Sequence, residues 1–348
     1  MKRIISAFLA LVLAALCLAA VGCTPADNPN VPGTPGTSNV PATTEPVVTP
    51  DPDVPGYTYT VLGGSATITG YTGDAKDLVI PTFAGGVYVT AIADTSFTNN
   101  HVIESVTIPG TVTNTGMMSF FGCTALKKVV LGEGITTVAR GSFNECPALE
   151  EIVFPSTLTF IDDVAFQGSA SLTSVSFPES LHHIGYRAFA NSGLVDVVVP
   201  ASCATMGGGV FAGSQSLKSC VILGNIPAVP QDLFRECMAL ETVTLPMGID
   251  NIGQYCFYRC TSLKELDVGM TRYVNQYAFW GCTSLEKVYF HTTEKIFRFC
   301  PRSVAFTPKF TDLYYAGTQE LWNLTTIDEW NESMPGVTIH VDWNGEKN

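Results

Sequence analysis

The sequence predicts a predominantly β fold, a right-handed solenoid of 22–23-residue repeats with a cap at each end. Three observations predict it. A phenylalanine returns at Phe97, Phe120, Phe143, Phe166, Phe189, Phe211, Phe234, Phe257 and Phe279, always 22 or 23 residues after the last. An apolar residue keeps the same interval at Ile103, Leu126, Leu149, Leu172, Leu194, Leu217, Leu240, Leu263 and Leu285. Between these marks one grammar recurs, Leu-x-x-Val-x-Φ-Pro followed by Val-x-x-Ile-Gly-x-x-Ala-Phe-x-x-Cys, where Φ is apolar. A fixed period sustained over nine units is the mark of stacked repeats.

The chain divides into five segments. Residues 1–22 form a targeting segment: Lys2 and Arg3 precede an apolar run from Ile4 to Val21, the layout of a signal peptide and not of a membrane span. Ala20-Val21-Gly22-Cys23 resembles a lipobox, which implies cleavage before Cys23 and lipid attachment to it. Residues 23–56 then carry Pro25, Pro29, Pro32, Pro35, Pro41, Pro46, Pro50, Pro52 and Pro55 with no aromatic residue. Such a segment buries too little surface to offset its ordering entropy. At roughly 3 Å per residue it gives the lipid tether a reach on the order of 100 Å.

Residues 57–100 are expected to form an N-terminal cap and a first repeat, 101–306 the body of the solenoid, and 307–348 a C-terminal cap. Leu172–Ser192 shows the logic of one unit. Val175 and Phe177 alternate as in a short strand with one buried face. Pro178 then ends the strand, because it cannot donate to a ladder, and Gly185 suits a tight bend. One unit cannot bury its own Leu, Val, Ile and Phe, whereas stacked neighbours can. Two departures predict local irregularity: Ile226-Pro227-Ala228-Val229-Pro230 replaces the Ile-Gly bend, and the unit around Gly269 lacks a Pro and one residue.

This grammar resembles the BspA-like leucine-rich-repeat family of secreted and surface proteins, over roughly residues 57–345. The segment Tyr57–Pro81 looks like that family's N-terminal cap. Leu313-Tyr314-Tyr315-Ala316-Gly317-Thr318, Trp322 and Val337–Val341 look like its C-terminal element. The resemblance implies a surface protein that binds other proteins.

Eleven cysteines in an exported chain invite a disulfide reading. The alignment of units favours packing instead. Cys123, Cys146, Cys237, Cys260, Cys282 and Cys300 each follow a Phe by three residues, where Ser169, Ser192 and Ser214 stand in other units. The slot wants a small side chain, and a free Cys packs as a small hydrophobe.

Several functions are excluded. A net charge of -13 with 14% charged residues is unsuited to a phosphate backbone or to an anionic lipid surface. An enzyme needs a nucleophile, base or metal ligands converging on one pocket. His101, His182, His183, His291 and His340 are scattered, and the neighbours His182 and His183 point to opposite faces of a strand. Asp162-Asp163 offers at most a weak cation contact, and Gly207–Gly209 falls in a bend, not at a helix start as a phosphate loop would. No catalysis, cofactor or metal is expected.

The outward positions of the strands form the candidate binding face. One row is Ser105, Lys128, Glu151, Ser174, Asp196, Ser219, Thr242, Glu265 and Lys287. Its neighbour is Thr107, Val130, Val153, Ser176, Val198, Val221, Thr244, Asp267 and Tyr289. The four valines give the second row an apolar centre with polar borders, a pattern suited to protein binding. A glycan groove would want more exposed aromatics, and Tyr289 is the only one in these rows. The expected function is therefore a monomeric, non-catalytic surface lipoprotein for protein–protein interaction or adhesion. It would be exported, lipid-anchored to the cell envelope and exposed outside, where it meets a host or neighbouring-cell surface protein. An envelope-associated structural lipoprotein and a glycan-binding accessory protein are the alternatives.

Overall fold

The computed structural model describes residues 54–296 and 298–346. The targeting segment, Cys23 and the Pro-rich linker up to residue 53 lie outside the described residues. No helix among the described residues is long and apolar enough to cross a membrane.

The chain enters through a hairpin. Strands β1 (Tyr57–Leu62) and β2 (Ser65–Tyr71) pair antiparallel across Gly63-Gly64, both at positive φ, as a two-residue hairpin turn requires. Ala66 and Ile68 alternate inward and are fully buried. Strand β3 (Asp77–Val79) begins the main sheet, and β4 (Phe83–Ala84) with β5 (Val87–Ile92) completes the cap sheet in the order β1-β2-β5-β4.

From there three ladders run along the solenoid. The first is the predicted parallel sheet, in which Asp77–Val79, Ser105–Ile108, Lys128–Leu131 and Glu151–Val153 pair in order. The second is a row of two-residue strands at the Val-x-x-Ile segment, starting with Thr137–Val138, Phe160–Ile161, His183–Ile184 and Thr205–Met206. The third lies at the phenylalanines. The N–H of Phe143 donates to Ala165 O at 2.9 Å and that of Phe166 to Ala188 O at 2.8 Å, one unit onward. Nine phenylalanine rings stack inside these ladders with centroids 4.6–6.3 Å apart. Offset stacking at such distances adds to what burial alone supplies.

Each phenylalanine turn contains two left-handed residues, two places before and two after the ring. Thr95 and Asn99 flank Phe97, Gly141 and Glu145 flank Phe143, and Val164 and Gly168 flank Phe166, all at positive φ. The sequence gives little sign of this, because glycine fills only some of the slots. The cysteine slot works as expected. The thiols of Cys123, Cys146, Cys237, Cys260 and Cys282 donate to Phe carbonyls of the preceding unit at 3.0–3.2 Å. Ser214 does the same to Phe189 at 3.1 Å. All nine cysteines among the described residues are free thiols.

The ladders are interrupted where the repeats depart from pattern. The second ladder stops after Thr205–Met206 and resumes as a separate sheet at Ala228–Val229. By register the missing donors are the amides of residues 227 and 230, since Ala204 N donates to His182 O and Gly207 N to Ile184 O in the preceding unit. Both positions are proline, which has no N–H.

The main sheet breaks twice, after Glu151–Val153 and after Thr242–Thr244. Each break precedes a unit of 22 residues, Leu172 to Leu194 and Leu263 to Leu285. The second short unit still pairs across its missing residue, Glu265 with Lys287, so unit length alone does not break the ladder. The expected strand over Val175–Phe177 is not formed: Val195 N still reaches Thr173 O at 3.1 Å, but residues 174–176 pair with neither neighbour among the described residues. Phe154 and Phe177 fill the gap, lying edge-on to Phe166 and Phe189.

At the far end Val304 takes the ring slot, with Phe279 N donating to Ser303 O, and Thr307 takes the cysteine slot. Cys300 therefore does not belong to the cysteine ladder. Its N–H donates to Val274 O, which places it in the second ladder just after Arg298–Phe299. A buried Asn331 seals this end. It accepts from Ser303 Oγ and Val304 N and donates to Cys300 O and Asp328 O, all within 3.2 Å. Helix α1 (Gln319–Trp322) is capped by Thr318 and packs Trp322 on Phe299 and Tyr315.

Candidate interaction surface

The outward rows of the main sheet are built by strand alternation. Between Val129 and Leu131, between Val197 and Val199 and between Cys220 and Ile222, all buried, the chain must turn Val130, Val198 and Val221 the other way. Parallel registers then align these positions across units: Thr107 with Val130 and Val153, Val198 with Val221 and Thr244, Asp267 with Tyr289. Val153 is 41% and Val198 54% exposed, while Val130 and Val221 are half-buried. Ser174 and Ser176 are exposed but lie in the first break, so the apolar centre is two short stretches instead of one.

The flanking row is charged and internally paired. Lys128 Nζ meets Glu151 Oε2 at 2.9 Å, and Ser219 Oγ donates to Asp196 Oδ1. Thr242, Thr244 and Glu265 are exposed, and Lys287 is half-buried. At the N-terminal edge Glu104 is held between Lys76 at 2.6 Å and Lys127 at 2.7 Å. Hydrogen bonds from Lys127 and then Lys76 lower its pKa to about 2.

Tyr289 is the exception to the predicted face, being only 1% exposed. Trp343, which follows the last strand, folds back over the sheet and sits 5.2 Å from the Tyr289 ring and 4.8 Å from His291. Burial pushes the Tyr289 phenol up to about 12. Asp267 is half-buried and accepts from His291 at 2.9 Å, and His340 meets Asp312 at 2.7 Å. The C-terminal end of the sheet is thus closed off by the cap, and the open face ends near Glu265.

Exposed aromatic side chains occur elsewhere, on the phenylalanine-turn side. Phe306 is 60% and Trp330 54% exposed, next to cavities of about 530 and 470 Å³. The signal for this cluster was the 22-residue recurrence of Tyr255 with Tyr277 and of Tyr258 with Trp280, which the strand rows alone did not sample. No group of His, Cys, Asp and Glu suited to a metal ion occurs among the described residues. The lipid-attachment residue Cys23 lies outside them.

Comparison with known proteins agrees with this architecture. The family model described as BspA type leucine-rich repeat region matches six copies over residues 90–218 and 196–306. Among solved structures, the chain is similar to a leucine-rich cell surface protein from Faecalibacterium prausnitzii A2-165, with 21% identity over 83% of this chain and 100% of that one, at a TM-score of 0.43. A leucine-rich repeat protein of T. pallidum shares 26% identity over 60% of this chain and 88% of that one, at a TM-score of 0.47. A leucine-rich repeat protein from Bacteroides ovatus shares 18% over 83% and 98%, at a TM-score of 0.39. A search of curated proteins yields no match. The family match spans more than half of the sequence, and the chain belongs to the BspA-type leucine-rich-repeat family.

Proposed function

We propose that this chain is a lipoprotein of the cell surface, anchored through Cys23, that offers its parallel sheet to a protein on a host or neighbouring cell and acts in adhesion without catalysing a reaction. The observation that carries the reading is the outward row around Val198, where β-branched side chains stand exposed on a rigid, hydrogen-bonded strand between polar neighbours. Exposed apolar area of this kind on a fixed scaffold suits protein recognition. The buried thiols support a structural role over a nucleophilic one: desolvation raises Cys260 well above the ordinary range and Cys282 to about 12.

Protease shaving of intact cells, with a Cys23→Ala variant as control, tests the reading. Release of the solenoid from wild-type cells while cytoplasmic markers stay intact is the expected result. A wild-type protein that stays membrane-bound yet protected would remove adhesion and leave an envelope-associated structural role.

A further inference from the structure

The side of the solenoid carrying the phenylalanine turns holds a second surface. Tyr255 and Tyr277 stack at 4.8 Å with their planes 4° apart, and Tyr258 and Trp280 stack at 4.8 Å and 8°. The two stacks touch, Tyr255 lying edge-on to Tyr258 at 5.6 Å. Guanidinium groups close both ends. Arg235 lies 5.5 Å from the Tyr255 ring and 5.4 Å from Tyr258. Arg302 lies over Trp330 at 5.0 Å and donates to the Tyr277 hydroxyl at 3.1 Å. Phe306 extends the second stack, edge-on to Trp280 at 5.0 Å.

Two features decide what fits here. First, each ring gives one face to its stacked partner, and Arg235 and Arg302 lie over rings of the stacks. A pyranose stacks on an open ring face, so these pairs are not a sugar platform. Tyr, Trp and Arg side by side, beside cavities for apolar side chains, make up the composition of a protein hot spot. Second, two of the strip's guanidinium groups stand unpaired. The chain as a whole carries -13, yet exposed Arg259 and half-buried Arg302 lie in this strip without an ion-pair partner among the described residues. Arg235, by contrast, is paired with Asp232 at 3.4 Å and Glu236 at 3.8 Å. Complementarity then calls for carboxylates on the partner.

We infer that this strip docks a polypeptide segment carrying carboxylates among bulky apolar side chains, the apolar groups entering the cavities beside Phe306 and Trp330 and the carboxylates meeting Arg259 and Arg302. This rests on the reading of the chain as a protein-binding module and adds a second surface to it. Glu332 lines both cavities and opposes such a partner, so its neutralisation should strengthen binding.

The test is fluorescence-anisotropy titration of the full-length chain with short synthetic peptides of Glu and Asp among Trp, Phe and Leu, beside counterparts with Lys in place of the acids. The acidic peptides should bind and the Lys peptides should not. Phe306→Ala and Arg302→Gln should each weaken binding roughly tenfold with the melting temperature unchanged, and Glu332→Gln should strengthen it. Equal binding of both peptide sets, indifference to Phe306→Ala, or no binding at all would overturn the inference. So would oligosaccharide binding lost in Trp330→Ala, or self-association of the chain abolished by that variant. Acidic-peptide binding lost in Val198→Asp but kept in Phe306→Ala would overturn the strip while leaving the sheet-face reading intact.

Discussion

The thiol of Cys260 donates to the backbone carbonyl of Phe234 at 3.1 Å, and that contact ties each cysteine of the ladder to the ring of the unit before it. Ser214 makes the same bond to Phe189 O, whereas Ser192 Oγ bonds Ser214 Oγ and Ser169 Oγ has no partner among the described residues, so small size is what the slot holds in common. Replacement by serine should therefore be mild. Cys260→Ala removes one of two hydrogen bonds to a carbonyl that also accepts from Cys237 N at 3.0 Å, and should cost about 0.5–1.5 kcal/mol, read from chemical denaturation of the two variants. Equal stability of the serine and alanine variants would remove the hydrogen bond from the account.

Thiol reactivity follows from the same burial. Cys203, Cys220, Cys237, Cys256, Cys260 and Cys282 are buried, and desolvation raises the pKa of each. The thiolate is the reactive form, so raising the pKa and closing access act together. Cys123 and Cys146 are buried as well, and only Cys300 is partly exposed. Alkylation of the native protein at pH 8 should modify Cys300 first among these nine, with the others reacting only in denaturant. Rapid native labelling of Cys260 would contradict the packing described.

Val164 is β-branched and sits at φ 51°, a region that such residues rarely occupy. Relief of about 1–2 kcal/mol of left-handed strain, less the unfolded-state entropy of glycine of roughly 0.5–1 kcal/mol, predicts a small gain from Val164→Gly. Thermal unfolding should show a rise in Tm. A fall would mean that the Val164 side chain contributes more by packing than it loses by strain.

Asn331 answers four groups at once at the C-terminal end, two of them buried and two partly buried. Asn331→Ala should cost several times what an exposed substitution does, about 1–3 kcal/mol for each group left unsatisfied without water. Hydrogen exchange should show the loss confined at first to the units after Phe279, because a solenoid repeat contacts only its neighbours. Uniform loss of protection along the chain would argue against that locality.

Glu104, held by Lys127 and Lys76, has a folded-state pKa of about 2, below the ordinary carboxylate value near 4.3. A depressed acid contributes stability that is present above about pH 4 and is lost as the pH falls through the folded value near 2. The carboxylate is reached by solvent and both lysines are exposed, so its effect on stability is screened and small. The direct measurement is a carboxyl NMR titration of Glu104, with a midpoint near 2 at low salt that climbs in 1 M NaCl. A midpoint near 4 at low salt would dissolve the Lys–Glu–Lys cluster.

Much of this structure was legible because stacked repeats force the same residue type into the same slot. The rings from Phe97 to Phe279 and the small residues three places on could be placed from spacing alone, and the prolines at 227 and 230 announced the break they cause. The left-handed turns were hidden, since Val164, Arg187 and Tyr255 look nothing like glycine. Tyr289 was misjudged because the residue that buries it, Trp343, comes from outside the repeat pattern. Cys300 was misplaced because Phe297, three residues before it, mimics the ring slot that Val304 fills. The missing strand at Val175–Phe177 was not legible in the spacing, since the other short unit, Leu263 to Leu285, keeps Glu265 paired with Lys287.

The central claim is that packing along the phenylalanine stack holds the units together as one scaffold. Phe189 is fully buried and lies 5.2 Å from Phe166 and 6.3 Å from Phe211, so Phe189→Ala measures that claim most directly. Equilibrium denaturation, followed by hydrogen exchange, should show a loss of about 3–5 kcal/mol, with protection falling first in the units containing Phe166 and Phe211. An unchanged denaturation midpoint with full protection in those two units would contradict it.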